Sequence, residues 1–320
     1  MNKIQVVKYL IRNRKITMKK AANLLACYWS YWTRSVKSRG GPLVLMIEPT
    51  NICNLSCPLC AAGNGSMKRK RGQLEYSRYK RLIDNVATDV LNVSLYGVGE
   101  PFLNKDLFRM IKYTNKKGIF TRVSTNGTAL TSNNIKKLID TGLDNLVISL
   151  DGATPLTYAK YRRAGDFANV VENIRSVVRL KKKNKIRSPM IELQYIIMKH
   201  NEAEIPGIKK IANEIGVDNL VLKTVNTRYG KQYQPSNTKY RRKIRAKQCN
   251  WLWFGSFVQW DGDVAVCCRV DDKQMVVGNA CKEDIRVIWN NAEYIDQRKK
   301  YLNNNKHEIC QGCTGNIVNK

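Results

Sequence analysis

The sequence contains no run of 18 or more apolar residues, which excludes a membrane-spanning helix. Acidic side chains are scarce: 25 Asp+Glu stand against 56 Lys+Arg, a formal net charge of +31. Such a surplus suits an anionic partner or a uniformly basic, solvated surface. Histidine is nearly missing, with only His200 and His307 among 320 residues. Charges recur through Lys20, so the amino-terminal region has no uninterrupted apolar stretch of the kind a secretory signal needs. The same lack argues against reading Leu24-Leu25-Ala26-Cys27 as a lipoprotein cleavage site. No internal repeat or low-complexity tract occurs. What is present is a length that allows two domains, or one large domain with an appendage, and can bury a core without disulfides. Hydrophobic residues at 43% and charged residues at 25% fit a soluble globular protein.

Ten cysteines are the informative feature. The chain is too long for a small secreted disulfide scaffold, and most cysteines fall in tight clusters, which in a reducing cytosol bind metal. A cytoplasmic location follows. Residues 1–40 form a basic, partly amphipathic segment. Lys8, Arg12, Arg14, Lys15, Lys19 and Lys20 are interspersed with Ile4, Val7, Leu10 and Ile11. The stretch Ala21–Trp32 is apolar and aromatic, with Trp29 and Trp32 three residues apart. A helix packed on the following domain is the first reading of this segment. A basic face with tryptophans lying on an anionic bilayer is the second.

From residue 43 short apolar or β-branched runs alternate with helical periodicity. Strands are predicted at Leu43–Ile47, Val90–Leu95, Phe120–Ser124, Asn145–Leu150, Met190–Met198 and Asn219–Thr224. Helices are predicted at Tyr76–Val86, Lys105–Lys116, Ser132–Thr141, Phe167–Lys183 and Glu202–Ile215, with Gly118, Gly142 and Gly216 as αL stops. Six strands with intervening helices mean parallel βαβ units and an α/β fold: a partial (βα)6 TIM-like barrel. Ligands in such folds bind at the carboxyl ends of the strands. Composition shifts after residue 225, where Lys239, Arg241, Arg242, Lys243, Arg245 and Lys247 mark a polar, basic stretch. The expected organisation is an amino-terminal helical segment (1–40), a barrel core (41–235) and a small cysteine-rich α+β extension (236–320) of β-hairpin plus helix.

Cys53, Cys57 and Cys60 follow the first strand as C-x3-C-x2-C. Three thiolates cannot complete a structural zinc site, which wants four ligands, and no histidine is near in sequence. Three thiolates suit a [4Fe–4S] cluster with one iron open to a further ligand. Asn51 and Asn54 can turn this loop and Pro58 can stiffen its return. Glu48-Pro49-Thr50-Asn51-Ile52-Cys53-Asn54-Leu55-Ser56-Cys57-Pro58-Leu59-Cys60 resembles the signature loop of radical S-adenosylmethionine (radical SAM) enzymes. The resemblance implies that the open iron binds the amino and carboxylate groups of S-adenosylmethionine. It also implies that Leu59 packs against the adenine where the family often has an aromatic ring.

Further motifs follow the other strands. Gly97-Val98-Gly99-Glu100-Pro101 resembles the family's Gly-Gly-Glu-Pro motif, whose backbone and Glu hold the methionine ammonium. Ser124 and Asn126 lie in Ser-Thr-Asn-Gly after strand three and can reach ribose hydroxyls. Ser149 ends strand four, and Arg162 stands where similar enzymes pair an arginine with the methionine carboxylate, with Arg163 as the competing neighbour.

A second set comprises Cys249, Cys267, Cys310 and Cys313. Asp261-Gly262 reads as a hairpin turn between Phe257–Trp260 and Val264–Val266, which places Cys267 at a strand end. On ligand count, four cysteines satisfy zinc and an iron–sulfur cluster equally. The pattern resembles the SPASM/Twitch extension of radical SAM enzymes, which implies one fully ligated auxiliary [4Fe–4S] cluster. Cys268 is the alternative to Cys267, and only one should ligate because adjacent strand side chains oppose. Cys281 is expected to be a buried thiol, Cys27 is spare, and Ile285 and Trp289 should pack the helix Asn291–Leu302.

The resemblance implies an oxidoreductase-type enzyme. It would take one electron from a reductant such as flavodoxin or ferredoxin, cleave S-adenosylmethionine to a 5′-deoxyadenosyl radical and abstract a substrate hydrogen, while the second cluster relays an electron. The expected substrate is small and carbohydrate-like, with a peptide as the alternative. No catalytic side chain is legible. A reading from another class is a zinc or iron–sulfur protein that docks nucleic acid through Lys68-Arg69-Lys70-Arg71 and Lys181-Lys182-Lys183, but both runs read better as solvated faces.

Overall fold

The computed structural model describes residues 9, 11–13, 15–226, 230–241, 249–310 and 313. Ile4, Val7, Lys8, Leu10 and Arg14 of the amino-terminal segment and Arg242, Lys243, Arg245 and Lys247 of the basic stretch lie outside the described residues. Helix α1 (Met18–Trp32) precedes six strands: β1 (Val44–Ile47), β2 (Asn92–Leu95), β3 (Phe120–Thr125), β4 (Asn145–Ser149), β5 (Met190–Ile197) and β6 (Asn219–Thr224). These lie side by side in chain order, each parallel to the next. The crossovers carry α2 (Tyr76–Val86), α3 (Leu107–Lys116), α4 (Ser132–Ile139), α5 (Pro155–Tyr161), α6 (Phe167–Lys183) and α7 (Ile205–Ile215). This is the expected partial barrel. Helix α5 was not foreseen: its seven residues are too short a window for periodicity, and it depends on Thr154 capping Thr157 N and on Pro155 in the first turn.

Strand alternation explains the two faces. Leu45, Ile47, Val93, Leu95, Val123, Leu146, Ile148 and Leu193 are buried against the helices. The register puts Ser94, Arg122, Ser124, Ser149, Glu192, Gln194 and Lys223 together on the opposite, inner face.

The extension prolongs this sheet. β7 (Gly255–Val258) pairs parallel with β1, and β8 (Asp263–Ala265) and β9 (Val276–Asn279) continue antiparallel, making nine strands in the order β6-β5-β4-β3-β2-β1-β7-β8-β9. The hairpin turn at Asp261-Gly262 is present, with Gly262 at φ 93°. Strand β9 escaped the sequence because its Gly278 and Asn279 disfavour strands. Helix α8 (Ala292–Leu302) covers the far side, with the Trp289 ring packed at a tilt against Tyr294, centroids 4.7 Å apart, as expected. Buried Arg298 fastens α8 by donating to Leu252 O at 2.9 Å and Val36 O at 3.1 Å.

The amino-terminal segment lies across the amino ends of the strands. Lys15 pairs with Asp144 just before β4 at 2.5 Å, and Lys20 donates to Gly118 O at 2.8 Å just before β3. Asn23 donates to Gly41 O and Asp89 O, ahead of β1 and β2. Among the described residues no helix is long and apolar enough to cross a membrane.

Candidate active site

The loop after β1 holds the first three cysteines, and the rest of the site is built around it. Cys53, Cys57 and Cys60 share a pocket with Leu55, Tyr161 and Met198. Burial pushes the Cys53 thiol up and the Cys57 thiol up to about 11, with Cys60 adding to both shifts and Arg162 opposing them. Arg162 Nη1 lies 3.9 Å from Cys57 Sγ, and Asn126 Nδ2 lies 3.9 Å from Cys53 Sγ. Crowded thiols fringed by N–H donors suit an anionic iron–sulfur cluster, whose binding deprotonates its ligands. Asn51 and Asn54 act less locally than expected. Asn51 ties the loop to Lys70 O and Gly72 N, and Asn54 bonds Thr128 and Asn126 beyond β3.

The loop after β2 is held against the cysteine loop. A Cβ on Gly97 would stand 2.6 Å from Glu48 Oε1, and one on Gly99 2.2 Å from Thr50 O. Both glycines are therefore required for backbone approach to the cysteine loop itself. Glu100 is buried, accepting from Phe102 N at 3.1 Å, Thr125 Oγ1 at 2.7 Å and Asn126 N at 2.8 Å. Burial raises its pKa, and these three bonds oppose the rise. Pro101 starts the short helical turn that positions Phe102. In this arrangement Glu100 bridges the loops after β2 and β3.

Asn126 is 5% exposed and faces Cys53, whereas Ser124 is half-buried on the inner face. Ser149 accepts from Gln194 at 3.3 Å. Arg162 points inward and Arg163 is exposed, which separates the two neighbours. Asp151, fully buried and not singled out by sequence, orients Arg162 through contacts of 2.7 and 2.6 Å. Leu59 packs against Gly230.

The inner face carries charge that sequence reasoning missed. Arg122 pairs with Glu192 at 2.5 Å. Burial draws the Lys223 amine down to about 8, with Arg122 adding to the effect. A charged residue inside an otherwise apolar parallel strand was the available signal.

Glu48 and Arg69 form a fully buried pair, with Nη1 to Oε2 at 2.8 Å and Nη2 to Oε1 at 3.0 Å. Glu48 also accepts from Val98 N and Trp260 N, each at 3.3 Å. The run Lys68-Arg69-Lys70-Arg71 is thus no uniform solvated face: its Arg69 is spent inside the protein. Lys181 of the second run pairs with Asp218 at 2.5 Å.

The second cysteine set lies on the other side of β7. Cys249, Cys267 and Cys310 line one cavity. Cys313 influences the thiols of all three, and burial pushes Cys249 up to about 12 and Cys310 up to about 11. Cys267 and Cys268 sit in a turn beyond β8 rather than in the strand, so strict alternation does not separate them, and their thiols hydrogen-bond. Cys267 still neighbours the other three cysteines, whereas Cys268 lies toward Tyr96. Both terminal nitrogens of Arg269 are buried with no hydrogen-bond partner among the described residues. Orphaned donors beside crowded thiols fit an anionic cluster that accepts N–H···S bonds. Cys27 is buried and donates to Gly41 O at 3.0 Å, while Cys281 is half-buried against Gly262 rather than fully buried as expected.

Comparison with known proteins carries the reading further. Residues 47–209 match the family model of the radical SAM superfamily, and residues 249–314 match SPASM, an iron–sulfur cluster-binding domain. The chain belongs to the radical SAM superfamily. It is an enzyme of that superfamily with a SPASM domain, and its cofactors are S-adenosylmethionine and [4Fe–4S] clusters. It is 30% identical to the GTP 3′,8-cyclase of Rhizobium etli over 187 residues, covering 57% of this chain and 51% of the relative. It is 26% identical to the mycofactocin maturase MftC of Mycobacterium tuberculosis over 175 residues, covering 55% and 43%. The chain thus spans about half the length of the curated relatives it matches. In fold it is similar to Streptococcus suis SuiB bound to precursor peptide SuiA, with TM-score 0.69, 14% identity and coverage of 90% and 73%. It is also similar to BtrN in complex with AdoMet and 2-DOIA, with TM-score 0.54, 17% identity and coverage of 86% and 94%.

Proposed function

We propose that this enzyme oxidises a small, polar, carbohydrate-like substrate held on the inner face of the barrel. The observation that carries the reading is the lining of that face: Arg122, Glu192 and Lys223 beside Ser149 and Gln194, a set suited to hydroxyl and anionic groups. Cys53, Cys57 and Cys60 would hold the first cluster, with Cys249, Cys267, Cys310 and Cys313 holding an auxiliary one. Bound together, the first cluster and S-adenosylmethionine would supply the radical chemistry for hydrogen abstraction from an unactivated carbon.

The residues of the chain bind and orient. Arg162, set by Asp151, presents its guanidinium for the methionine carboxylate. Glu100, Gly97, Gly99 and Pro101 would shape the pocket for the ammonium, Ser124 and Asn126 would reach the ribose hydroxyls, and Ser149 would complete the cofactor-binding set where it borders the substrate lining. Glu100 would have to share its carboxylate between the ammonium and the bonds it makes now. The auxiliary site lies next to the barrel through β7, which suits a role in accepting the substrate electron. A reductant such as flavodoxin or ferredoxin and a cytoplasmic place, held peripherally at a membrane through residues 1–40, belong to the same reading. A peptide substrate is the second reading, favoured by the 90% coverage in the fold comparison with SuiB.

The test is anaerobic reconstitution followed by assay of deoxyadenosine. About eight irons per chain are expected, four per cluster, and anionic sugars should stimulate deoxyadenosine formation. The carbohydrate reading fails if such sugars have no effect while a basic peptide stimulates.

A further inference from the structure

Helix α1 is amphipathic in the reverse sense. The face turned to the protein carries Lys20, Asn23, Cys27 and Ser30. The face turned to solvent carries Met18, Leu25, Trp29 and Trp32, at 90%, 70%, 55% and 78% exposure. Positions 18, 25, 29 and 32 fall on one stripe of a helix. Exposed apolar side chains scattered singly need no explanation, but large apolar side chains aligned on one helix face mark a contact surface.

Charge says what covers it. The first 47 residues contain ten Lys and Arg and no Asp or Glu. Lys15 and Lys20 turn inward, whereas Arg12, Lys19, Arg34, Lys37 and Arg39 are exposed around the stripe. The Arg39 guanidinium lies 5.4 Å from the Trp29 ring. Two copies meeting through this face would bring two unneutralised cationic sets together. Tryptophans and leucine ringed by cations match the boundary of a bilayer with anionic headgroups, where aromatic rings sit among the headgroups and each nearby cation adds attraction.

We infer that α1 is a membrane-docking helix that lays Met18, Leu25, Trp29 and Trp32 into the interface of an anionic bilayer. The orientation favours this. Helix α1 crosses the amino ends of β1–β3, and the cysteine loop lies beyond the carboxyl end of β1, so docking leaves the barrel mouth facing away from the lipid.

The experiment is co-sedimentation of the full chain, clusters reconstituted, with vesicles of phosphatidylcholine alone or with about 30% phosphatidylglycerol. The protein should sediment with the anionic vesicles only and be released at about 0.5 M NaCl. Leu25→Ser with Trp32→Ser should lower the bound fraction at least about tenfold, with S-adenosylmethionine cleavage unchanged. Arg34→Glu with Lys37→Glu gives an independent arm should the first variant misfold, and it too should lower binding. No binding to anionic vesicles, or equal binding by wild type and the folded variants, overturns the proposal. So does a lipid-free dimer in light scattering that the serine variant turns to monomer, since the stripe would then join two copies. The vesicle readout is independent of turnover, so a wrong substrate assignment leaves it intact.

Discussion

Single side chains set the chemistry around each group of thiols. Arg162 and Arg269 illustrate two states of one residue type. Arg162 is oriented by Asp151 and lies against Cys57, and its position was legible only through the resemblance to enzymes that pair an arginine there with the methionine carboxylate. Both terminal nitrogens of Arg269 are buried and unpartnered among the described residues. Nothing in the sequence marks it, since the lack of a partner is a fact of burial. With a cluster on the second cysteine set, Arg269 should donate to sulfur and stabilise the reduced, more negative state. Arg269→Leu should therefore shift the midpoint potential of that cluster to more negative values. A charged hydrogen bond of about 1.5–3 kcal/mol corresponds to about 60–130 mV for one electron. An EPR-monitored redox titration reads the shift, and Arg269→Lys should recover part of it. An unchanged potential would show that the guanidinium does not face the cluster.

Between elements, the buried Glu48–Arg69 pair is the main polar joint. Glu48 ends β1, Arg69 comes from the strap that follows the cysteine loop, and the same carboxylate receives Val98 N after β2 and Trp260 N after β7. Arg69 Nε also donates to Asp271 O in the extension at 3.2 Å. Removing one partner leaves an uncompensated buried charge, so Arg69→Met should cost about 3–5 kcal/mol of stability. Denaturant unfolding measures this, and the double variant Glu48→Gln with Arg69→Met should lose much less than the sum of the single changes. A single-variant cost below about 1 kcal/mol would place the pair in the class of exposed bridges. Glu48 lay within the recognised loop. Its partner stood in a basic run that resembles solvated surface, and only tertiary contact across 21 residues distinguishes Arg69 from its neighbours. Strand β7 is a parallel case: its hairpin with β8 was visible in the Asp-Gly turn, but its pairing with β1 was not, because a long-range parallel pairing leaves no local signature.

For the whole molecule, the closure of the barrel floor by the amino-terminal segment carries a pH signature. Burial draws the Lys20 amine down from 10.5 to about 8, and the like charge of Lys15 adds to the shift. Between those values the unfolded chain holds a proton that the folded chain has released, so this group makes stability rise with pH across that window. Below the window the folded protein carries a charge its surroundings disfavour. Lys20→Met removes the effect. The melting temperature of wild type relative to Lys20→Met should climb from about pH 8 to about pH 10. Parallel curves for the two proteins would show that Lys20 is solvated and that the segment packs loosely on the strand ends.

The repeating strand–helix order, the helix stops at glycine and the two cysteine sets could be read from the chain alone, because local periodicity and cysteine spacing carry them, and the cofactors followed from the motifs' resemblance to a known family. Only the tertiary structure decided which arginine faces the thiols, where the buried charges pair, how the extension joins the sheet and which face of α1 meets solvent. Those outcomes depend on burial and on contacts between residues far apart in the chain, where desolvation costs act and local pattern has no reach.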